Sequence, residues 1–184
     1  MKKSLLVLIV LFAIGAFAFD YPLGKPQIES NAGKPAPDFV LKDQDGKDFR
    51  LSEQKGSKVL IVFYRGHWCP YCVAQLKDLA ANQAKFAQLD VKIVAISVDT
   101  PENVRKVWEK AVKRQFAVLT DPELRVIRAY GVLQAAKGTD DADIAIRTSV
   151  LVDEKGIEVF RRISKTAADI PKSDELLERI RAGK

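Results

Sequence analysis

The strongest guide to the fold is an unbroken apolar run, Val59–Tyr64, that is followed closely by two cysteines, Cys69 and Cys72. The run is β-branched and aromatic without polar alternation, which is typical of a strand buried on both faces of a parallel or mixed sheet. Gly66 ends it, and from residue 70 to about residue 89 apolar side chains recur at helical spacing. The sequence therefore predicts a strand-to-helix junction that carries both sulfurs.

Cys69 and Cys72 are the only cysteines of the chain. The positive end of a helix macrodipole and its unpaired backbone N–H groups favour the thiolate, which is the reactive form of the side chain. In Cys-x-x-Cys couples the thiol pKa falls to ~3.5–7 from its ordinary value of ~8.5. The spacing and the position together indicate a redox couple.

Residues 1–18 have the pattern of a secretory signal peptide. Lys2 and Lys3 precede an uncharged apolar core, and Ala16–Ala18 forms an A-x-A cleavage site. Retention as a membrane anchor is the alternative, although the apolar stretch is shorter than the ~20 residues of a spanning helix. In either case we expect the folded part outside the cytoplasm, periplasmic or secreted, where disulfides form and persist.

Cleavage after Ala18 leaves a chain of the size of one ordinary domain. Residues 19–33 contain prolines and glycines without periodicity and are predicted to be a tether, so the domain spans residues 34–184. The formal charge falls from +6 to +4 with the loss of Lys2 and Lys3, and the remaining cations are scattered among acidic residues. This distribution does not favour nucleic-acid binding, which needs a concentrated basic patch.

Turn and capping signals predict alternating strands and helices in the first part of the domain. An Asp-Gly turn joins two short apolar segments into an edge hairpin within residues 39–51. A second central strand is predicted over residues 91–98, and Thr100 with the proline after it opens a helix. A third strand covers residues 116–119, and an Asp-Pro pair then caps a helix within residues 121–131.

The last part of the chain is predicted to contain a surface loop, a hairpin and a helix. Residues 133–146 lack a clear period, residues 148–163 form the hairpin, and residues 173–181 form the helix. The complete order predicts an α/β sandwich in which helices cover both faces of a mixed central β-sheet.

Four short motifs carry a resemblance to a known family. These are Gly33–Phe39 (Gly-Lys-Pro-Ala-Pro-Asp-Phe), Ser97–Asp99, Leu119–Asp121 and Tyr130–Val132. In this order and spacing the chain resembles the alkyl hydroperoxide reductase/thiol-specific antioxidant family, the peroxiredoxin branch of the thioredoxin fold. The resemblance covers nearly all of the sequence after the signal peptide and implies a thioredoxin-like sandwich with an N-terminal edge hairpin.

Arg147 stands where thioredoxin-like disulfide reductases carry a cis-proline. In peroxiredoxins an arginine at this point lies beside the peroxidatic sulfur, so the resemblance implies that Arg147 is catalytic. A fixed planar cation would stabilise the thiolate and polarise the O–O bond of a peroxide. The alternative is an arginine at a strand start that faces water.

The active-site motif departs from the peroxiredoxin pattern Pro-x-x-x-Thr-x-x-Cys. When Cys72 is aligned with the peroxidatic cysteine, Cys69 replaces the threonine and Arg65 replaces the proline. The result is similar to the Trp-Cys-x-x-Cys element of thioredoxin and to the Cys-Pro-Tyr-Cys sequence of glutaredoxins. The chain thus resembles a peroxiredoxin-like subgroup that carries a CxxC pair.

Two mechanisms on the same sulfurs remain open. In a peroxidase, Cys72 attacks a hydroperoxide and Cys69 resolves the sulfenic acid to a disulfide, which an external thiol donor reduces. In a thiol-disulfide oxidoreductase, the more exposed Cys69 attacks a protein disulfide and Cys72 releases the partner. The departure from cis-proline favours the first mechanism, whereas Trp68 and the CxxC pair favour the second.

A copper carrier is a third alternative, because thiolates suit Cu(I) and His67 lies close to both cysteines. A closed zinc site normally takes four such ligands and the chain offers three. We therefore expect neither a metal nor another cofactor. The sequence leaves the oligomeric state open.

The neighbours of the cysteines are predicted to shape the site. Trp68 either presents a flat apolar surface to a partner or is half-buried filler, Pro70 begins the helix, and Tyr64 ends the buried strand. Arg65 is a nearby cation that would lower the thiol pKa, or alternatively a solvated charge at the strand end. The single histidine would shuttle protons near neutral pH, or lie exposed in the loop.

Overall fold

The computed structural model describes residues 31–136, 142–166 and 168–183. The predicted signal peptide, and the tether as far as residue 30, lie outside these residues. Where the described chain begins, Gly33 N–H donates to Glu158 O at 2.8 Å, which attaches this part of the predicted tether to the sheet. Among the described residues, each helix is too short or too polar to span a bilayer.

A seven-stranded mixed sheet forms the centre of the molecule, as predicted. The strand order is β2-β1-β5-β4-β3-β8-β9, with β3, β4 and β5 parallel and the other pairs antiparallel. The predicted N-terminal hairpin is confirmed as β1 and β2 at one edge. The strands are β1 Val40–Asp43, β2 Asp48–Arg50, β3 Lys58–Phe63, β4 Val91–Ser97, β5 Ala117–Thr120, β6 Leu133–Gln134, β7 Ile144–Ala145, β8 Thr148–Val152 and β9 Glu158–Ile163.

In the described part of the chain, five α-helices and one 3-10 turn, Leu51–Gln54, accompany the strands. The helices are α1 Pro70–Ala81, α2 Gln83–Ala87, α3 Pro101–Lys110, α4 Arg125–Ala129 and α5 Ser173–Ala182. The prediction of one helix from residue 70 to about residue 89 is wrong in part, because Asn82 ends α1. The amide of Asn82 bonds back to Asp78 O at 2.9 Å, and this local bond competes with helix continuation.

Alternate residues of β3 face two separate apolar cores. Leu60 and Val62 pack with the apolar sides of α1, α3 and α5, whereas Ile61 and Phe63 pack with α4 and β1 on the opposite face. This period of two places helices on both faces of the sheet, as predicted. It also fixes Tyr64, the next residue, on the α1 side, where the cysteines lie.

One prediction for the second half of the chain is wrong, and one is confirmed. Residues 133–146 do not form only a surface loop, because β6 and β7 pair as a small two-stranded sheet that buries Ala145. The predicted capping of the next helix by Asp121 is confirmed, although α4 itself begins only at Arg125. The buried Asp121 carboxylate accepts from three N–H groups at the start of the helix, at 2.9–3.1 Å, so it caps the helix from a distance along the chain.

Candidate active site

The two cysteines lie where the carboxyl end of β3 turns into α1, as predicted. Cys69 is the N-cap residue, and its Sγ accepts a hydrogen bond from Cys72 N–H at 3.3 Å. Pro70 occupies the first helical position, where its missing N–H leaves no gap in the hydrogen bonding. The cysteines form a disulfide across a Cα–Cα distance of 5.3 Å. A helix N–H aimed at Sγ stabilises negative charge on that sulfur when the pair is reduced.

Both sulfurs sit at the border of the apolar core. Cys72 is 0% exposed and Cys69 is 4% exposed, which agrees with the prediction that Cys69 is the more accessible of the two. Trp68 and Tyr71 flank them and are the large hydrophobic side chains that stand exposed in the described part of the chain. A small molecule therefore meets less steric hindrance at these sulfurs than a folded protein does.

The loop before the cysteines closes tightly around Gly66. Cys69 N–H donates to Gly66 O at 3.1 Å. A Cβ at Gly66 would lie 2.7 Å from Trp68 Nε1 and 3.1 Å from Asp99 Oδ1. A side chain at residue 66 would therefore displace the exposed indole of Trp68 and crowd the carboxylate of Asp99, both of which approach this point of the loop.

Arg147 lies at the same end of the sheet as the cysteines. Thr148 pairs with Phe63 in the antiparallel ladder, so Arg147 stands across from the residue at which β3 leads into the cysteine loop. The side chain is 4% exposed and donates to Thr166 O. Its burial rules out the interpretation of a solvated arginine at a strand start. The catalytic role of Arg147 stays a prediction.

Burial and neighbouring charges shift the pKa of the Arg147 guanidinium. Burial, and then the charge of Arg65, lower the pKa of Arg147, whereas Asp169 and Tyr71 act in the opposite direction. Arg65 is half-buried and donates to Gln134 Oε1 at 3.1 Å, so it is not a fully solvated strand-end charge. Its Nε is buried without a hydrogen-bond partner in the described part of the chain. The guanidinium groups of Arg65 and Arg147 therefore raise the positive electrostatic potential at the cysteine end of the sheet.

A buried carboxylate, Asp99, joins the site from the loop after β4. From the sequence, Asp99 is only part of a family-like motif and has no predicted role of its own. Asp99 Oδ1 faces His67 Nδ1 at 2.7 Å, and Oδ2 accepts from His67 N–H at 2.8 Å and from Ser97 Oγ at 3.1 Å. A sequence signal did exist, since parallel strands end at the same sheet edge and Asp99 follows the strand next to β3.

Tyr64 lies in the apolar cluster that contains both cysteines. Its hydroxyl is buried without a hydrogen-bond partner among the described residues. Burial, and then the charge of Asp99, raise the pKa of Tyr64. The phenol therefore stays neutral, and its ring packs in the same apolar cluster as the disulfide.

Within the described residues, no group of three or more His, Cys, Asp or Glu side chains is arranged to hold a metal ion. His67, the third ligand considered for copper, has its Nδ1 against Asp99.

Comparison with known proteins identifies the family. The AhpC/TSA family matches residues 32–159. The chain belongs to this family. The match includes both cysteines, Asp99 and Arg147, so the predicted resemblance is confirmed.

Relatives of this AhpC/TSA chain fall into two groups. Peroxiredoxin Bcp of Bacillus subtilis is 31% identical over 71% of this chain and 85% of its own length. The thiol-disulfide oxidoreductase ResA of Bacillus thuringiensis is 30% identical over 85% of this chain and 86% of its own. The chloroplastic peroxiredoxin Q of Populus jackii is 32% identical over 69% of this chain, which spans 57% of that relative. Both groups are oxidoreductases by name, which confirms the prediction of a redox enzyme.

Solved structures confirm the thioredoxin-like fold. Peroxidoxin BcpB from Mycobacterium tuberculosis superposes with a TM-score of 0.72 at 26% identity, covering 83% of this chain and 97% of its own. AhpC of Enterococcus faecalis has a TM-score of 0.71 at 21% identity, covering 83% and 91%, and at that identity shows the fold alone.

Proposed function

We propose that this AhpC/TSA chain is a thiol peroxidase that reduces small hydroperoxides through a Cys69–Cys72 dithiol-disulfide cycle. The observation that carries the proposal is the buried guanidinium of Arg147 at the end of the sheet from which the cysteines emerge. A desolvated planar cation stabilises both the attacking thiolate and the charge that develops on the leaving oxygen. The low exposure of both sulfurs also favours a small substrate over a protein one.

The cycle uses only the two cysteines that the chain contains. The Cys72 thiolate attacks one peroxide oxygen, the O–O bond breaks, and the alkoxide takes a proton to leave as water or an alcohol. Cys72 becomes a sulfenic acid, which Cys69 attacks to form the disulfide with release of water. Two thiol groups of an external donor then reduce the disulfide and are themselves oxidised to a disulfide. The partners in this proposal are a hydroperoxide and a thiol donor, with no cofactor.

A second candidate function is thiol-disulfide exchange with protein substrates. It is favoured by the position of Cys69, whose Sγ accepts the helix N–H and is the more exposed sulfur. The exposed rings of Trp68 and Tyr71 beside the disulfide give a partner protein an apolar surface to contact. In this case Cys69 attacks first and Cys72 resolves the mixed disulfide.

The two functions are separated by mixing the reduced protein rapidly with each class of substrate. We expect a larger second-order rate constant with hydrogen peroxide than with insulin, whose disulfides serve as the protein substrate. Loss of free thiols, sampled by rapid alkylation and mass spectrometry, gives both rates. A larger rate constant with insulin would contradict the peroxidase and support the second candidate.

We also propose that the protein acts outside the cytoplasm after cleavage behind Ala18. The support is the charged start, apolar core and A-x-A site of residues 1–18, together with a redox pair suited to an oxidising compartment. Expression of the full chain in a bacterial host, followed by fractionation and N-terminal sequencing, should give a periplasmic protein that begins at Phe19. A cytoplasmic protein that keeps residues 1–18 would contradict the proposal.

A further inference from the structure

The His67–Asp99 pair lies at the cysteine loop, and neither residue acts in the steps of the proposed cycle that consume the peroxide. His67 is the only histidine of the chain and stands two residues before Cys69. Its side chain is 42% exposed, whereas the Asp99 carboxylate is 4% exposed. A surface imidazole is thus fixed by a buried anion at the edge of the disulfide.

The contacts of Asp99 hold the imidazole in one orientation. The carboxylate accepts a hydrogen bond from the backbone N–H of His67 at 2.8 Å and faces Nδ1 of the ring at 2.7 Å. Both the main chain and the imidazole of His67 are therefore restrained. Thr120 Oγ1 donates to Asp99 O at 2.6 Å and Ser97 Oγ donates to its carboxylate, so Asp99 is itself fixed by β4 and β5. Because Nδ1 donates to a carboxylate, Nε2 is the ring nitrogen left to accept a proton.

The loop leaves little freedom for this arrangement to change. The turn from Gly66 to Cys69 is closed by the Cys69 N–H, and Trp68 Nε1 and Asp99 Oδ1 approach the same face of Gly66. A buried carboxylate that hydrogen-bonds Nδ1 stabilises the imidazolium formed when Nε2 takes up a proton, as in the base–orienter pairs of hydrolases. The geometry is that of an oriented general base beside a disulfide.

We propose that His67, positioned by Asp99, is the proton acceptor when an external thiol reduces the Cys69–Cys72 disulfide. Nε2 takes the proton of the donor S–H as the donor sulfur attacks Cys69, the more exposed sulfur. The S–S bond breaks, and its electron pair leaves on Cys72. A second donor thiol attacks the mixed disulfide, which releases the donor as a disulfide. The two donor protons end on Cys69 and Cys72, one of them through His67. This role rests on the redox cycle of the proposed function, and it applies to either candidate.

Other titratable or charged groups surround this junction and must be considered in any pH profile. Asp99 contacts the ring directly, and the cysteine thiols titrate once the disulfide is reduced. The remaining groups of the junction are Tyr64, Arg65, Tyr71 and Arg147. Among these side chains, the imidazole is the one whose chemistry suits it to take and return protons near neutral pH.

The test compares a thiol reductant with a phosphine reductant on the oxidised full-length protein. Dithiothreitol must lose a proton as it attacks, whereas tris(hydroxypropyl)phosphine attacks sulfur without one. We expect H67Q to slow reduction by dithiothreitol at least ~10-fold near neutral pH, because a general base is lost. Reduction by the phosphine should keep its rate. The defect with dithiothreitol should shrink at alkaline pH, where the reagent is already a thiolate.

D99N is the second variant, because it keeps the shape of the carboxylate and removes its charge. We expect it to slow the thiol reaction in the same pH-dependent way. Equal slowing of the thiol and phosphine reactions in H67Q would assign His67 to loop geometry and overturn the proposal, as would an unchanged rate with dithiothreitol. A wild-type disulfide that neither reagent reduces would instead contradict the redox cycle itself, so the two failures are distinguishable.

Discussion

Replacing Cys72 with serine is expected to abolish the fast reaction of the reduced protein with hydrogen peroxide. The same replacement at Cys69 should leave that reaction in place and let a sulfenic acid accumulate on Cys72, because the only resolving thiol of the chain is gone. Rapid mixing with peroxide, followed by dimedone trapping and mass spectrometry, measures both outcomes. The expected difference is between a trapped adduct in Cys69→Ser and none in Cys72→Ser.

The two variants control for each other. Each loses the disulfide and exchanges one sulfur for an oxygen of similar size, so any general effect on the fold is shared. The peroxidase assignment fails if Cys69→Ser is the unreactive variant and Cys72→Ser forms a stable mixed disulfide with insulin. That result would make Cys69 the attacking sulfur, in agreement with its N-cap position and its hydrogen bond from Cys72 N–H.

The sequence predicted the part of the fold that local patterns determine. The apolar run of β3, the proline at the first position of α1 and the Asp-Gly turn of the edge hairpin each depend on residues close in the chain, and the structure confirms all three. The order of strands and helices followed from these signals and from the family resemblance. The proximity of the two cysteines was predictable for the same reason, because a spacing of three residues at the start of a helix places both side chains on the same turn.

The sequence did not reveal contacts between distant segments. Asp99 lies 32 positions from His67, and their 2.7 Å contact arises only because β3 and β4 are adjacent and parallel. The pairing of β6 with β7 likewise joins segments separated by about ten residues without a strong period in either. The break after Ala81 was missed because a single side-chain bond from Asn82 to Asp78 outweighs the apolar period around it. The first two contacts depend on tertiary geometry and the third on one local side-chain bond, and the apolar period encodes neither.

Removal of the Arg147 guanidinium is expected to slow peroxide attack at least ~10-fold, because a donor that stabilises the developing charge is lost. The residue is buried at the cysteine end of the sheet, so we expect its charge to act on the thiolate with little screening by water. Arg147→Ala and Arg147→Lys are measured by rapid mixing of the reduced variants with hydrogen peroxide. Arg147→Lys should recover part of the rate, because it restores the charge without the planar pair of donors.

A structural effect of Arg147→Ala must be separated from the loss of charge, because Arg147 also donates to Thr166 O and a cavity would remain. Reduction of the oxidised variant by the phosphine gives this control, since attack on the disulfide by a neutral nucleophile reports the geometry of the sulfurs. Arg128→Ala is the matched surface variant, because this exposed arginine pairs only with Asp143 among the described acidic residues. It should keep the wild-type rate. An Arg147→Ala variant that also reacts with peroxide at the wild-type rate would remove the observation on which the peroxidase assignment depends, and the exchange of protein disulfides would then be the better account of this site.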